Sequence, residues 1–167
     1  MEISTAPTAD TEPAHTSIPD DVPAVTSERF ITFELGGNTY AMIATSVMEI
    51  SRQLTVSPVP NSPRYLSGIA PLRDEVVAVV NLRGLLDAAP AGDANAKPKH
   101  VVMNRWTGDG THIGFLVDRV GEIAQIEIGS IRPTPGESEL MIGAAVDGSR
   151  TLKIIDHRKL AAARFLD

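Results

Sequence analysis

Apolar residues occur along this chain in short runs, most of them five to seven residues long, separated by Gly, Pro and polar residues. The run 30–35 and the run 39–43 flank Gly36-Gly37-Asn38, a combination typical of a β-hairpin with a tight turn. The run Val47-Met48-Glu49-Ile50 places one acid inside an apolar, strand-like segment. We predict further strands at residues 55–59, 69–73, 76–81, 100–105, 112–117, 124–128, 142–146 and 151–155. The pattern therefore predicts a mainly β chain.

Turn and cap residues divide these runs. Asp74-Glu75 forms a tight connection between two predicted strands, and Asp147-Gly148 is a hairpin signal between the last pair. Pro71 cannot donate a hydrogen bond to a ladder, so its strand should lie at a sheet edge or a bulge. Asp156 can cap a C-terminal helix over residues 157–166. Small residues, Pro and Gly make 87–99 a loop.

The chain also repeats itself. Four residues return 73 positions later, and after a slip of two residues four more return 75 positions later. The matches are Gly37, Val47, Glu49 and Ile50 with Gly110, Val120, Glu122 and Ile123, then Pro58, Pro60, Gly68 and Asn81 with Pro133, Pro135, Gly143 and Asp156. A unit of about 55–65 residues is marginal alone, and packing two together gives a shared core. We therefore expect two fused five-stranded β-barrels.

The domain boundaries follow from this repeat. The first barrel is expected at about 30–87, the second at about 100–156, and the helix closes a domain that spans 28–167. Residues 1–27 hold four Pro, five acids and no Lys or Arg, without periodic apolar positions. Such a segment cannot bury enough surface to offset its chain entropy, so it is expected to be disordered.

Charge and composition argue against nucleic-acid binding and against membrane insertion. The net charge is −6, yet residues 28–167 carry 16 acids and 15 bases. A nucleic-acid binder usually shows a basic stripe with stacking aromatics. With a nearly neutral domain and 4% aromatic residues, a small-barrel nucleic-acid binder is a weaker alternative. No apolar run reaches the roughly 20 residues of a spanning helix, so the chain is expected to be soluble, without direct membrane insertion.

No catalytic or metal-binding signature is present. The chain contains no Cys, and its four His do not form an HxH or HxxxH pair. Asp156-His157 is better explained as a helix cap followed by a first-turn residue than as a catalytic base with its orienting carboxylate. Gly108-Asp109-Gly110 lacks the Lys and the long helix of a phosphate loop. We expect a protein that is not an enzyme, with no catalytic residues, metal or cofactor.

Three local constellations remain as candidate interaction sites. Glu49 lies in the first, and its simplest role is the solvent-facing member of a strand. The second, 68–74, ends a predicted edge strand in Arg73, and edge strands can serve as docking surfaces. The third, 113–120, is more apolar than one buried face requires. It fits either a central strand or a partner groove.

These segments together resemble the CheW family of bacterial chemotaxis coupling proteins. The matching motifs are F-E-L-G-G-N-T-Y-A (33–41), V-M-E-I (47–50), P-V-P-N-S-P (58–63), G-I-A-P-L-R (68–73), V-V-N-L (79–82), G-F-L-V-D-R-V (114–120) and I-I-D (154–156). They span nearly all of 30–160. The resemblance implies a fold of two packed five-stranded SH3-like barrels, which agrees with the repeat.

The resemblance also implies a non-catalytic, cytoplasmic scaffold, recruited to receptor arrays at the inner face of the membrane. Its partners would be the cytoplasmic tip of methyl-accepting chemoreceptors and the regulatory domain of a CheA-type histidine kinase. By position, the kinase-binding residues would be Glu49, Gly68, Leu72, Arg73, Asp74 and Glu75. The receptor-binding residues would be Val47, Ile50, Phe115 and Val117, lining an apolar groove between the barrels.

One departure from the family pattern concerns the turn at residues 71–74. The family commonly reads N-L-R-G there, whereas this chain has Pro71-Leu72-Arg73-Asp74, followed by Glu75. Replacing Gly removes an easy position for positive φ and makes the turn acidic. A kinase with a complementary basic surface, or a divergent chemosensory array that controls pili or twitching, is compatible with this change.

Overall fold

The computed structural model describes residues 26–52, 54–86, 100–105 and 112–162. The expected disordered tail up to residue 25, the loop 87–99, Gly108–Gly110 and the end of the C-terminal helix lie outside these residues. The described residues form ten strands, two short α-helices and two 3-10 turns. The strands are β1 (Ser27–Leu35), β2 (Asn38–Ile43), β3 (Val47–Ser51), β4 (Leu66–Leu72), β5 (Glu75–Asn81), β6 (His100–Arg105), β7 (His112–Val117), β8 (Arg119–Glu127), β9 (Met141–Asp147) and β10 (Arg150–Ile155). The helices are α1 (Leu82–Leu85) and α2 (His157–Ala162), and the 3-10 turns are Ala44–Ser46 and Ile128–Ser130.

The strands form two five-stranded sheets. Sheet A has the order β8-β1-β2-β10-β9, and sheet B has the order β3-β6-β7-β5-β4. The prediction of a mainly β fold with two five-stranded units is therefore confirmed, and the arrangement is consistent with SH3-like barrels.

The sheets do not coincide with the two sequence halves. The β1–β2 hairpin, from the first repeat, joins β8, β9 and β10 of the second repeat, and the β6–β7 hairpin joins β3, β4 and β5. Assigning 30–87 to one barrel and 100–156 to the other was therefore wrong. Each repeat contributes its hairpin to the other sheet because β2 and β3 are separated by one 3-10 turn, and β7 and β8 by Asp118 alone. So short a link leads the chain from one sheet directly into the other.

The repeat itself recurs in three dimensions. Ser57 pairs with Ile69 through two backbone hydrogen bonds of 2.8 and 2.9 Å, and Arg132 pairs with Ala144, 75 residues later, through two bonds of 2.8 Å. At each site the adjacent glycine lies against a backbone carbonyl. A Cβ on Gly68 would lie 2.1 Å from the Ser57 oxygen, and one on Gly143 would lie 2.1 Å from the Arg132 oxygen. These repeated glycines are therefore required by close backbone approach.

One apolar core joins the sheets. Phe33, Leu35 and Met42 of sheet A pack in the same cluster as Val80 and Phe115 of sheet B. The expectation of a shared core is confirmed. Smaller clusters lie within each sheet, around Leu152 and Ile154 in sheet A and around Val77 and Val79 in sheet B.

Several local predictions are confirmed and three are corrected. Gly36 and Gly37 have positive φ in the β1–β2 turn, and Gly148 has positive φ in the β9–β10 turn. β4, which contains Pro71, is an edge strand as predicted. The predicted strand at 55–59 is reduced to a single bridge at Ser57, because Pro58 has no amide hydrogen to donate to a ladder. The predicted strand 69–73 begins earlier and ends at Leu72, and the predicted connection at 74–75 is shifted by one residue to Arg73-Asp74.

Neither helix in the described part of the chain has the length and apolar character needed to cross a bilayer. The domain was expected to begin at residue 28, and β1 begins one residue earlier, at Ser27. The Thr26 carbonyl accepts a hydrogen bond of 2.9 Å from the Ile128 amide.

Candidate partner-binding surfaces

The first candidate surface lies at the β4–β5 turn. It comprises Glu49, Leu72, Arg73, Asp74 and Glu75, and is called the first turn surface below. Arg73 adopts a left-handed conformation, with φ 52°, in the two-residue turn that follows β4. Its side chain is 79% exposed. The positive φ of the turn thus falls on Arg73 rather than on Asp74, so the absence of Gly at position 74 does not obstruct the hairpin.

Arg73 and Glu49 form an ion pair, with 3.3 Å between Nη2 and Oε2. They belong to opposite edges of sheet B, since β3 is one edge and β4 the other. Two residues that the family resemblance assigned to one surface are therefore in direct contact, and sheet B curls until its edges approach. Glu49 remains 35% exposed. An exposed pair of this kind contributes only about 0–1 kcal/mol to folding, which leaves the guanidinium available to a partner.

The other residues of the first turn surface differ in role. Asp74 and Glu75 are exposed, whereas Leu72 is half-buried against Ala70 and Val77. Glu75 also contacts His112 at the start of β7, with 2.6 Å between Oε2 and Nδ1. This contact was not anticipated from sequence, since the two residues are distant in the chain.

Gly68 does not belong to this surface. It is buried, and its α-carbon lies against the Ser57 backbone. Its assignment as a kinase-binding residue is therefore corrected: it shapes β4 and offers no side chain or exposed backbone to a partner.

The predicted apolar groove is also corrected. Phe115 is 1% exposed and Val117 is 0% exposed, both in the core shared by the sheets. β7 is the central strand of sheet B, so the alternative of a central strand is the correct one for residues 113–117. Arg119 and Val120 begin the edge strand β8 of sheet A. Val47 is half-buried against the same core, and Ile50 is 39% exposed. Of the four predicted residues, only Ile50 and the exposed part of Val47 can contact another molecule.

Met48 enlarges the exposed apolar surface of β3. It is 56% exposed, next to Ile50 on the same edge strand. Val76, at the start of β5, and Ile69 in β4 are exposed as well. Sequence reasoning had included Met48 only as part of a motif, because alternation alone does not show which apolar residues of an edge strand lack a covering layer.

The second repeat carries a comparable arrangement, here called the second turn surface: Glu122, Asp147 and Arg150. Arg150 lies 3.9 Å from Glu122 and 3.1 Å from Asp147. Glu122 is the repeat counterpart of Glu49, and it lies in β8 at the edge of sheet A. The sequence repeat identified Glu122 as the counterpart of Glu49. It did not identify Arg150, because Arg150 stands two residues after position 148, which is the counterpart of Arg73.

A further ion pair ties the two sheets together. Arg83 Nη2 lies 2.5 Å from both carboxylate oxygens of Asp118, the residue that links β7 to β8. The Gly36 amide of the β1–β2 turn donates to the same carboxylate over 2.9 Å. Asp118 thus connects α1, which follows sheet B, to a hairpin of sheet A.

The region around Asp156 is structural. Its carboxylate accepts hydrogen bonds from the Arg158 and Lys159 amides, at 3.0 and 3.3 Å, so it caps α2 as predicted. Burial lowers the pKa of the neighbouring His157. Across the described residues, His, Asp and Glu do not gather in a group of three or more that could hold a metal ion.

Comparison with known proteins agrees with this geometry. A family model described as a CheW-like domain matches residues 29–165. This chain belongs to the CheW-like family. It is 26% identical over 153 residues to "Chemotaxis protein CheW" of Treponema pallidum, covering 86% of this chain and 88% of that protein. It is also 26% identical over 108 residues to "Protein FrzA" of Myxococcus xanthus, covering 65% of each.

A solved structure supports the fold of this CheW-like chain. The crystal structure of scaffolding protein TtCheW from Thermoanaerobacter tengcongensis superimposes with a TM-score of 0.68. The superposition covers 78% of this chain and 90% of that one, at 21% identity. The overall fold of this chain is therefore close to that of a solved CheW structure.

Proposed function

We propose that this chain is a non-catalytic chemotaxis scaffold that couples methyl-accepting chemoreceptors to a CheA-type histidine kinase. The single observation that carries the proposal is the first turn surface, where a family-matched arginine and acid meet on an exposed sheet edge. The relatives named as chemotaxis proteins supply the biological context.

The first turn surface would bind the regulatory domain of the kinase. Arg73 follows the end of an edge strand, and among the described residues the carboxylate within 4.0 Å of it is that of Glu49. A partner carboxylate that desolvates this guanidinium would add a charge-assisted contact, and truncating such a charge typically costs about 2–5 kcal/mol of binding. Asp74 and Glu75 lie beside it and favour a kinase surface that also presents basic side chains.

The apolar part of β3 would bind the receptor tip. Ile50 and Met48, two residues apart in β3, offer exposed apolar side chains to one face of an amphipathic helix. Glu49 and Ile50 are successive residues of a strand, so their side chains point to opposite faces. The kinase and the receptor could therefore occupy β3 at the same time without competing for one face.

This arrangement accounts for coupling without catalysis. Two partners held on one small domain are brought to a high local concentration, and no bond needs to be made or broken. The chain would then lie at the inner face of the membrane only while bound to receptors. The same scaffold could serve an array with another output, because neither surface depends on what the kinase controls.

A three-component sedimentation experiment tests the proposal. Receptor-bearing membranes and kinase are mixed with and without this chain, and the kinase in the pellet is measured. The kinase should sediment with receptors only when the chain is present, and Ile50→Asp should abolish this while leaving kinase binding in solution intact. If the chain fails to increase sedimented kinase with its cognate receptors, the proposed coupling is wrong.

A further inference from the structure

A methionine side chain is exposed on the apolar surface of β3 that Met48 and Ile50 form. The structure describes three methionine side chains. Met42 is buried in the shared core and Met141 is partly buried against it, whereas Met48 is 56% exposed. Because the chain contains no Cys, a peroxide meets no thiol on it that would react before a thioether. Of the described methionines, Met48 is therefore the one that an oxidant reaches most readily.

A β-bulge presents the Met48 side chain. The register between β3 and β6 shifts between Val47 and Glu49, which makes Met48 the extra residue of the bulge. Such a residue is released from the ladder, and the bend of the strand re-aims its side chain. The pairing of β8 with β1 shifts in the same way, and there Gly121 stands at the repeat counterpart of Met48. The bulge therefore forms without a thioether, and the Met48 side chain serves the surface rather than the fold.

The chemistry of this surface makes it sensitive to oxidation. Met48 and Ile50 are both exposed and apolar, and a thioether on its flexible chain adapts well to the apolar face of a helix. One added oxygen turns the thioether into a sulfoxide, which is polar and accepts hydrogen bonds. A receptor helix that covers the sulfoxide without a donor loses an apolar contact and adds a desolvation penalty. Oxidation should therefore weaken receptor binding while the core, in which Met42 lies, stays intact.

We propose that Met48 is a reversible oxidation site that controls receptor binding, an inference that rests on the proposed function. Hydrogen peroxide transfers one oxygen atom to the sulfur. The O–O bond breaks, an S–O bond forms, two electrons pass from the thioether to the peroxide, and water leaves. A methionine sulfoxide reductase reverses the step with two thiols, and the products are the thioether, a disulfide and water. Kinase binding through Arg73 does not change, because a guanidinium is not oxidised and Glu49 points to the other face of β3.

Limited oxidation of the full-length chain tests the site. Parent, Met48→Leu and, as the matched control, Met141→Leu are treated with hydrogen peroxide until the parent gains about one oxygen per chain. Peptide mass spectrometry locates the sulfoxides, and co-sedimentation with receptor-bearing membranes compares each treated chain with its own untreated sample. Met48 should be oxidised about tenfold or more above Met42. Treated parent and Met141→Leu should lose about tenfold in receptor affinity, treated Met48→Leu should lose none, and the reductase should restore the parent.

Other results would overturn the proposal. Equal oxidation of Met48 and Met42 would show that the bulge does not present a reactive site. Unchanged receptor binding by a parent that carries the sulfoxide at Met48 would remove its control of binding. An equal loss of affinity by treated Met48→Leu would assign the effect to another residue. An untreated parent that does not sediment with receptors would instead contradict the proposed function itself, and the control of receptor binding would fall with it.

Discussion

The two turn surfaces have the same design but different electrostatic surroundings. In each, an acid on one edge strand of a sheet, β3 or β8, forms an ion pair with an arginine of the hairpin at the opposite edge. Arg73 has one carboxylate within 4.0 Å among the described residues and is 79% exposed. Arg150 is shared between Glu122 and Asp147 and is 47% exposed.

The difference indicates which of the two repeated surfaces better suits the proposed kinase contact. An arginine already neutralised by two neighbouring carboxylates gains little from a third, whereas one with a single partner still attracts an external acid. Arg73 lies within its turn, with a left-handed backbone, whereas Arg150 is the first residue of β10. We therefore place the kinase contact at the first turn surface.

The largest predicted effect tests whether the two sheets share one core. Val117 of sheet B and Met42 of sheet A are both 0% exposed in the same cluster. Val117→Asp and Met42→Asp should each lower the free energy of unfolding by about 4 kcal/mol or more, because each buries an unpaired carboxylate. Thermal unfolding of each soluble variant should remain a single transition. Two separate transitions would show that the sheets are independent units.

A second prediction concerns the repeated glycines. Gly68→Ala and Gly143→Ala would each place a Cβ 2.1 Å from a backbone oxygen. Each should cost about 2–4 kcal/mol, because strand backbone on both sides must move. Urea titration of both variants checks whether the costs are similar. Gly37→Ala, at a turn with open space around it, is the control for positive φ without a clash. If one of the two clashing positions tolerates Ala, the sheets are less equivalent than the repeat suggests.

A third prediction concerns the pH dependence of stability, because one ion pair of sheet A has no counterpart in sheet B. In sheet A, Lys153 Nζ lies 2.8 Å from Glu137 Oε1 and 5.8 Å from the centre of the Tyr40 ring. In sheet B the counterpart positions are Ser62 and Ala78, so this contact has no equivalent. The hydrogen bond from Lys153 lowers the pKa of Glu137. Because this pKa is lower in the folded chain, the stabilisation is present above about pH 4.5 and is lost as pH falls through the folded value.

Parent and Glu137→Gln should therefore differ in stability near neutral pH and converge in acid. Denaturant unfolding at several pH values measures the difference. Ser62→Ala, at the counterpart position, should show no such pH dependence. A constant difference between parent and Glu137→Gln from neutral pH to pH 3 would contradict the assigned ion pair.

The smallest predicted effect is on the stability of the turn surfaces themselves. Arg73→Ala and Arg150→Ala should each change the free energy of unfolding by no more than about 1 kcal/mol, since both ion pairs are exposed. Melting temperatures would show this directly. A loss of several kcal/mol for either would mean that the pair closes its sheet rather than lying on the surface.

Much of the fold was predictable from local pattern. Turn residues such as Gly36-Gly37 and Gly148, and the edge position of Pro71, follow from backbone geometry that each residue type imposes. The exchange of hairpins was not predictable, because the repeat identifies equivalent strands but not which copy they pair with. That choice depends on the short links at 44–46 and at Asp118, whose effect appears only in three dimensions.

The candidate site was predicted less completely than the fold. Glu49 and Arg73, which the family resemblance assigned to one surface, form an ion pair. Phe115 and Val117 were misassigned, since an apolar strand buried on both faces has the same composition as one that lines a groove. Gly68 was misassigned because a glycine required by backbone packing resembles one required by a partner.

The most direct test of the account measures kinase binding by the two arginine variants. Isothermal titration of the cognate kinase's regulatory domain into parent, Arg73→Ala and Arg150→Ala compares the two surfaces under one condition. The account predicts that Arg73→Ala weakens binding well over tenfold, with an unchanged melting temperature, while Arg150→Ala binds nearly as the parent does. Parent-like affinity for Arg73→Ala would contradict it.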